Sequence, residues 1–324
     1  MIPVNTTFLT RRAFSSVLSI FILLSISFIL FRLLPGDPIS LMFRDPRLTQ
    51  DQLAYLREKF GLNKPLWEQY FIYLWNTVRG DLGISFYYKQ PVTEILLERI
   101  VNTLMLLIPA TIVSILLGVL TGVVSAWRHG SLVDKVVSGS ALVLYTLPTY
   151  WLGGLLILAS INYLHLPVTG MRDYGVHYSS MLEHLYDLAS HMILPFITLV
   201  LVNYGGFTLL VRASMLDVLG EDYIRTYYAV GFREGRILFK YGLKNAMLPT
   251  LTAISIAIAT SVSGAVLTET IFAWPGIGRL IYEAVYNRDY PLLQGAFLVI
   301  AVSVVLANLI ADLLYGLIDP RVRT

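Results

Sequence analysis

The sequence predicts an all-α, polytopic membrane protein with six transmembrane helices, and three observations predict it. Of its 324 residues, 56% are hydrophobic and 14% charged, with a mean hydropathy of +0.67. A soluble domain carries about 25% charged residues, so most of this surface must face something other than water. Six stretches supply the roughly 20 apolar residues of helix that a bilayer core requires: 13–34, 103–127, 136–158, 191–212, 250–272 and 292–317. Basic residues favour alternate connections, as short cytoplasmic loops do. Arg11, Arg12, Arg128, Lys135, Arg212, the run from Arg225 to Lys244, Arg321 and Arg323 fall on one side, against Arg172, Arg279 and Arg288 in the short loops opposite. Both termini are therefore expected in the cytoplasm.

The same figures exclude whole classes of function. An ordinary cytoplasmic enzyme, a disordered chain and a coiled coil all need more charge. With no cysteine there is no disulfide framework, thiolate metal site or cysteine nucleophile. A net charge of +3 spread along the chain leaves no nucleic-acid footprint.

The first span follows Thr10-Arg11-Arg12-Ala13-Phe14, which resembles the start of a twin-arginine export signal. Its apolar run is long and no A-x-A-like site ends it, so it reads as an uncleaved anchor. The connection 35–102 reads as an outer helical subdomain. Thr49 with Gln52 forms a capping box, 50–60 a short amphipathic helix and Gly61 its stop. A second helix starts near Pro65 and ends at Gly80, carrying Trp67, Tyr70, Phe71, Tyr73 and Trp75. Aromatics of this kind collect where one side is apolar and the other wet. A helix on lipid headgroups and a docking surface for an external protein both fit.

In the second span Ala110, Ser114, Gly118, Gly122 and Ala126 recur every fourth residue, and in the fifth Ala253, Ala257, Ser261 and Ala265. Small residues at that spacing let helix backbones approach closely in lipid, which makes these helices central. Pro109, Pro148 and Pro195 interrupt the hydrogen-bond ladder and read as kinks before they read as a channel lining. His177, His184 and His191 recur every seven residues, with Glu183 and Asp187 among them. Successive histidines stand about 10 Å apart along a helix axis, too far for one ion, so an amphipathic outer helix is expected and no metal.

Glu269 stands one step of four beyond Ala265. An intramembrane carboxylate is a functional hypothesis by default; it either lines a pathway or gate, or bonds to the turn beginning Trp274-Pro275-Gly276. The connection 213–249 is too long and too aromatic for a plain linker. It reads as short helices broken at Gly231 and Gly242. The chain thus divides into 1–34, the subdomain 35–102, a core 103–318 and a tail 319–324.

At that loop the sequence resembles the permease subunits of ATP-binding-cassette importers, in their dipeptide and oligopeptide branch. The general signature of that family is E-A-A-x-x-x-G-x9-I-x-L-P. Here Arg225, Thr226, Ala229 and Gly231, then Asn245, Ala246, Leu248 and Pro249, match the peptide-branch form R-T-x-x-A-x-G followed by N-A-x-L-P. Further agreement runs along the chain: Pro35-Gly36-Asp37-Pro38, Arg79-Gly80-Asp81-Leu82-Gly83, Leu147-Pro148 with Trp151-Leu152-Gly153, Thr268-Glu269-Thr270, Trp274-Pro275-Gly276-Ile277-Gly278, Asn287-Arg288-Asp289-Tyr290-Pro291 and Asp319-Pro320-Arg321.

The resemblance implies the type I importer permease fold, a plasma-membrane location, a homologous second permease subunit, two cytoplasmic ATPases holding ATP and magnesium, and an external solute-binding protein. It places Tyr223, Arg225, Thr226, Ala229, Gly231, Arg233 and Glu234 in the ATPase-coupling loop. Tyr145, Asn203 and Glu269 are the polar candidates for the translocation pathway or gate. The residues independently support the division of labour. A P-loop needs lysine followed by serine or threonine, and none of the six lysines has that neighbour; no cofactor is expected on this chain. An ion-gradient-driven secondary transporter is the rival, disfavoured because Glu269 and Asp312 lie toward helix ends. Within the resembling branch, nickel, glutathione and oligosaccharide importers stand beside peptide importers.

Overall fold

A computed structural model describes residues 6–33, 63–261 and 265–318, with Thr49, Asp51 and Glu58 besides. The capping box with Gln52, the helix over 50–60, its stop at Gly61, the turn Pro35–Pro38 and the tail 319–324 lie outside the described residues. Among the described residues every regular element is helical. In order they are α1 (Thr6–Leu33), α2 (Leu66–Val78), α3 (Val92–Trp127), α4 (Leu132–Thr146), α5 (Thr149–Ala159), α6 (Met181–Leu219), α7 (Asp222–Ala229), α8 (Leu243–Ser261), α9 (Val266–Ile271), α10 (Ile277–Asn287) and α11 (Tyr290–Ile318). Wider π turns, Ser160–Leu164 and Ile237–Gly242, extend α5 and lead into α8, and a single helical turn, Glu234–Arg236, precedes the second of them.

Among the described residues α1, α3 and α6 are each long and apolar enough to cross a bilayer. The pair α4–α5 makes a fourth crossing if it acts as one, and Tyr290–Val305 is a shorter apolar stretch. The count of six is therefore not reproduced helix for helix, and two departures have local causes. The third expected span is broken, its two halves bent by 101°. Pro148 has no N–H to continue the ladder of α4, and a residue before proline is pushed out of the helical region; Leu147 is extended, with ψ 131°. The fourth span begins at Met181 rather than 191. Ser180 caps it by accepting the Glu183 N–H, and the Glu183 carboxylate accepts the Ser179 N–H at 2.8 Å. Pro109 and Pro195 stay inside unbroken helices.

The described residues fall into two compact units, one within 1–103, 262–266 and 275–324, the other within 104–261 and 267–274. In the first, Val92, Ile95 and Leu96 of α3 pack with Ile277, Leu280 and Ala284 of α10 and Leu292, Leu293 and Ala296 of α11. Asp289 is fully buried and organises this core. It accepts from the Ser85 hydroxyl at 2.5 Å and the Tyr87 N–H at 3.0 Å, and caps α11 through the Leu292 N–H. The Asn287-Arg288-Asp289-Tyr290-Pro291 motif is thus the joint between α10 and α11. Asn102 and Thr103 bind the turn after Trp274, through the Pro275 carbonyl at 3.0 Å and the Ile277 N–H at 2.8 Å.

In the second unit the small-residue stripe of α3 does what its spacing predicts. Ala110, Ser114 and Ala126 are buried. A Cβ on Gly122 would stand 2.8 Å from the Thr208 carbonyl oxygen of α6. The backbones of α3 and α6 therefore touch, and Thr121 and Thr208 share a hydroxyl hydrogen bond of 2.9 Å. On α4, Asp134 is 3% exposed. Arg212 of α6 grips it with two bonds, 2.6 and 2.9 Å, while Ser125 and the Gly130 N–H supply two more. Below this pair Val123, Ala126, Val211, Met215, Leu238 and Ala246 form one cluster, so the segment after α7 is rooted in the same core as α3 and α6.

Candidate functional site

The candidate coupling loop is a short helix on a buried foot. Ile224 of α7 is fully buried, as are Ile237 and Leu238. The Tyr227 ring stacks on Tyr241 at 4.2 Å, with Phe232 edge-on to both. The Tyr223 hydroxyl accepts from Asn245 at 2.7 Å, so a residue of α7 meets a member of the later half of the quoted motif, N-A-x-L-P. Within α7, Thr226 donates to the Asp222 carbonyl at 3.1 Å.

The helix ends in a Schellman turn. The Gly231 N–H bonds to the Tyr228 carbonyl and the Phe232 N–H to the Tyr227 carbonyl, the pair of bonds that defines that motif. Gly231 sits at φ +83°, a region L side chains avoid. Nothing lies within 4 Å of where its Cβ would be; the requirement is for backbone conformation, not for room. Beyond the turn, the Glu234 carboxylate accepts the Trp127 indole N–H at 2.7 Å, which ties the loop to the end of α3.

Tyr223, Arg225, Thr226, Ala229, Gly231, Arg233 and Glu234 are all exposed. Their neighbours Val230, 69% exposed, and Tyr228 share that surface, and the sequence reading omitted both. The signal for them is an apolar pair beside the turn glycine with no inward role, visible only once Ile224 is known to be the buried member. Burial first and the Glu234 carboxylate second push the Tyr228 hydroxyl above its ordinary range. The phenol is therefore uncharged, on an exposed surface that also carries Arg225, Arg233 and Glu234.

The three pathway candidates differ in exposure. Tyr145, at the end of α4, is exposed and its ring lies over Gly206, 3.1 Å from where a Cβ would stand. Asn203 is exposed one turn earlier on α6. Glu269 is fully buried in α9, its backbone carbonyl accepting the Trp274 N–H at 2.8 Å. Trp274 and Phe272 beside it are buried as well, and Phe272 packs against Gly153.

Of the three spaced histidines, His191 comes together with Asp173 and Asp187, and His184 packs edge-on against Tyr178 at 5.1 Å. The His191 Nδ1 faces the Asp187 carbonyl at 2.9 Å and its Nε2 the Asp173 carboxylate at 3.5 Å. Asp187 also accepts from the Tyr178 hydroxyl at 2.5 Å, so the cluster fastens the loop 173–178 to α6.

Comparison with known proteins gives the same outline. Residues 114–324 match the family described as "Binding-protein-dependent transport system inner membrane component", and residues 5–107 match the N-terminal region of the same membrane components. The oligopeptide transport system permease protein AppB of Bacillus subtilis is 38% identical over 98% of this chain and 99% of its own length. The dipeptide transport system permease protein DppB of Escherichia coli K12 is 39% identical over 92% of this chain and 93% of its own. Among solved structures, an inward-facing form of the MetNI methionine ABC transporter superimposes with a TM-score of 0.55 at 15% identity, over 69% of this chain and 96% of that one. That last likeness concerns the fold alone.

Proposed function

This chain belongs to the family of binding-protein-dependent transport system inner membrane components, and we propose that it forms half of the translocation pathway of an ATP-driven peptide importer. It is a multi-pass protein of the plasma membrane and not an enzyme. A second permease subunit, two ATPases and a solute-binding protein complete the machine, and ATP with magnesium belongs to the ATPases. Membership of this family sets aside the ion-gradient transporter. Peptide cargo is inferred from relatives named for oligopeptides and dipeptides.

In this reading both termini are cytoplasmic, six crossings are made, 35–102 is the outer subdomain and 103–318 the core. The observation that carries the mechanism is the coupling loop, an exposed helix and turn on a foot shared with α3 and α6. Closure of the ATPases on ATP would move α7 and the turn at Gly231. Because Ile224, Ile237 and Leu238 are buried, that motion reaches the small-residue seam of α3 and α6 as a rigid displacement rather than dissipating in a flexible loop. Coupling needs one bistable element that both sites bias, and this seam is the candidate. Tyr145, Asn203 and Glu269 are the proposed pathway or gate residues.

Uptake by proteoliposomes holding the complete complex tests the reading. With ATP inside and binding protein outside, labelled dipeptide should accumulate. Accumulation of nickel, glutathione or an oligosaccharide in its place would reassign the cargo, and accumulation without ATP would overturn the mechanism.

A further inference from the structure

α2 has three faces, and together with its position against α1 they say what covers the outermost one. At about 100° per residue, Gln69, Tyr70, Tyr73 and Thr77 share one side. Tyr70 and Tyr73 pack on Phe28 of α1 at 5.3 and 5.5 Å between ring centroids, and the Tyr70 and Ser25 hydroxyls are 2.6 Å apart. Trp67, Phe71, Trp75 and Val78 lie on the opposite side, within about 80° of arc. They are 58–80% exposed. Between the two runs a strip with Glu68, Arg79 and Ile72, the last 38% exposed, while Asn76 at its inner edge is half-buried and lines a cavity with Tyr73 and Gln294. The Arg79 guanidinium lies 4.3 Å over the Trp75 ring, and Glu68 pairs with Lys64 at 2.5 Å.

The level at which α2 sits is set by its partners on α1. Ser25 and Phe28 belong to the apolar window Phe14–Phe31, near its end remote from the N-terminus. At 1.5 Å per residue they lie about 9 and 4.5 Å inside that end. A helix held there is at the boundary between acyl chains and headgroups. The α1 residues at the same level that α2 leaves uncovered, Ile26, Ile29 and Leu30, are 48–57% exposed, so the aromatic ridge continues an apolar membrane-facing surface. Tryptophan beside arginine is the composition of that zone.

We propose that α2 lies in the bilayer interface, with Trp67, Phe71, Trp75 and Val78 inserted at the top of the acyl chains, Glu68 and Arg79 toward water, and the tyrosine face on α1. The ridge anchors the helix to lipid and is not the seat of the solute-binding protein. This rests on α1 crossing the membrane and on nothing about cargo.

The chain has no cysteine, so single probes are unambiguous. Phe71→Cys, Trp75→Cys and Glu68→Cys, each labelled with bimane, are placed in the assembled complex in nanodiscs of phosphatidylcholine and phosphatidylglycerol. Retained ATPase activity certifies each variant. Probes at 71 and 75 should lose emission in discs whose lipids are brominated near the carbonyl end of the acyl chain and resist aqueous iodide, whereas the probe at 68 should do the reverse. Adding binding protein should change none of these. Iodide quenching at 71 and 75 relieved by binding protein would make the ridge a protein-docking site, and iodide quenching that nothing relieves would make it a bare aqueous surface. Either result overturns the proposal, and neither depends on whether a peptide is transported.

Discussion

Gly231 separates two demands that a turn glycine usually confounds. Its φ of +83° makes any L side chain strained, while the space around its Cβ is open. Alanine there should cost about 1–2 kcal/mol of local helix-end stability, with asparagine, which tolerates this region, costing less. Solute-stimulated ATPase activity of the complex should follow that order. Tryptophan adds bulk that this chain accommodates; a further loss beyond alanine therefore reads the wall of the docked ATPase, and equal activity of the two variants would deny contact at this turn. Asp134 is the other decisive residue. Asp134→Asn leaves the Arg212 guanidinium unpaired at a site where the carboxylate is 4% exposed and the arginine 24%, and breaking such a pair costs about 3–5 kcal/mol when both partners are buried. The partly exposed arginine puts the expected loss at the low end, read as a lowered melting temperature of the purified chain. Asp134→Leu with Arg212→Met should recover most of it, because the pair specifies the α4–α6 contact rather than supplying its net stability.

The elements explain why some of the fold was legible and some was not. The stripe from Ala110 to Ala126 could be read because close approach demands small side chains at one fixed spacing, and that demand leaves a mark in the sequence. The helix from Pro65 to Gly80 was legible through its proline entry and glycine exit; α2 and its φ +79° at Gly80 agree. The early start of α3 was hidden because Glu94, Glu98 and Arg99 interrupt the apolar run that hydropathy reads, although Val92, Ile95 and Leu96 pack in the core; the opening turns of α6 fall where an amphipathic outer helix was expected, with Met181, Leu182 and Tyr186 exposed and His177 left before it in the loop. The break at Pro148 was visible as a proline but not as a 101° bend, since Pro109 and Pro195 show that a proline alone does not end a helix. The proposed coupling loop was singled out by its motif and length, whereas the exposure of Val230 and the Trp127–Glu234 bond need the folded neighbours to be seen. One consequence belongs to the α3–α6 seam. Gly122→Val drives a side chain onto the Thr208 backbone oxygen and Val211, and overpacking of this kind costs about 1–3 kcal/mol. Gly139 has nothing within 4 Å of its Cβ position, so Gly139→Ala should leave stability unchanged or raise it by about 0.5–1 kcal/mol. Melting temperatures that fall equally for both would remove the seam as the site of tight packing.

For the molecule as a whole, no lysine is followed by serine or threonine, so the sequence offers no P-loop, and the proposed coupling loop exposes Tyr228, Val230 and two flanking arginines. Two predictions follow at this scale. The first is topological. In a cysteine-free chain, Val230→Cys should react with an impermeant maleimide only in inside-out vesicles, and Tyr174→Cys, at a side chain 82% exposed, only in right-side-out ones; the reverse pattern would invert the assigned orientation. The second concerns work. Permeases of this family leave ATP hydrolysis to partner subunits, and the proposed function gives this chain no fuel of its own. Reconstituted alone, it should neither hydrolyse ATP nor concentrate a dipeptide, and adding the second permease and binding protein without ATPases should leave it idle. Accumulation against a gradient by the isolated chain would require an ion-coupled site, and because Glu269 is the fully buried carboxylate of α9, loss of that accumulation in Glu269→Gln would identify it. Silence of the isolated chain, together with uptake that appears only when the ATPases are added and disappears with Gly231→Trp, assigns the driving force to the docked partners and its entry point to the turn after α7.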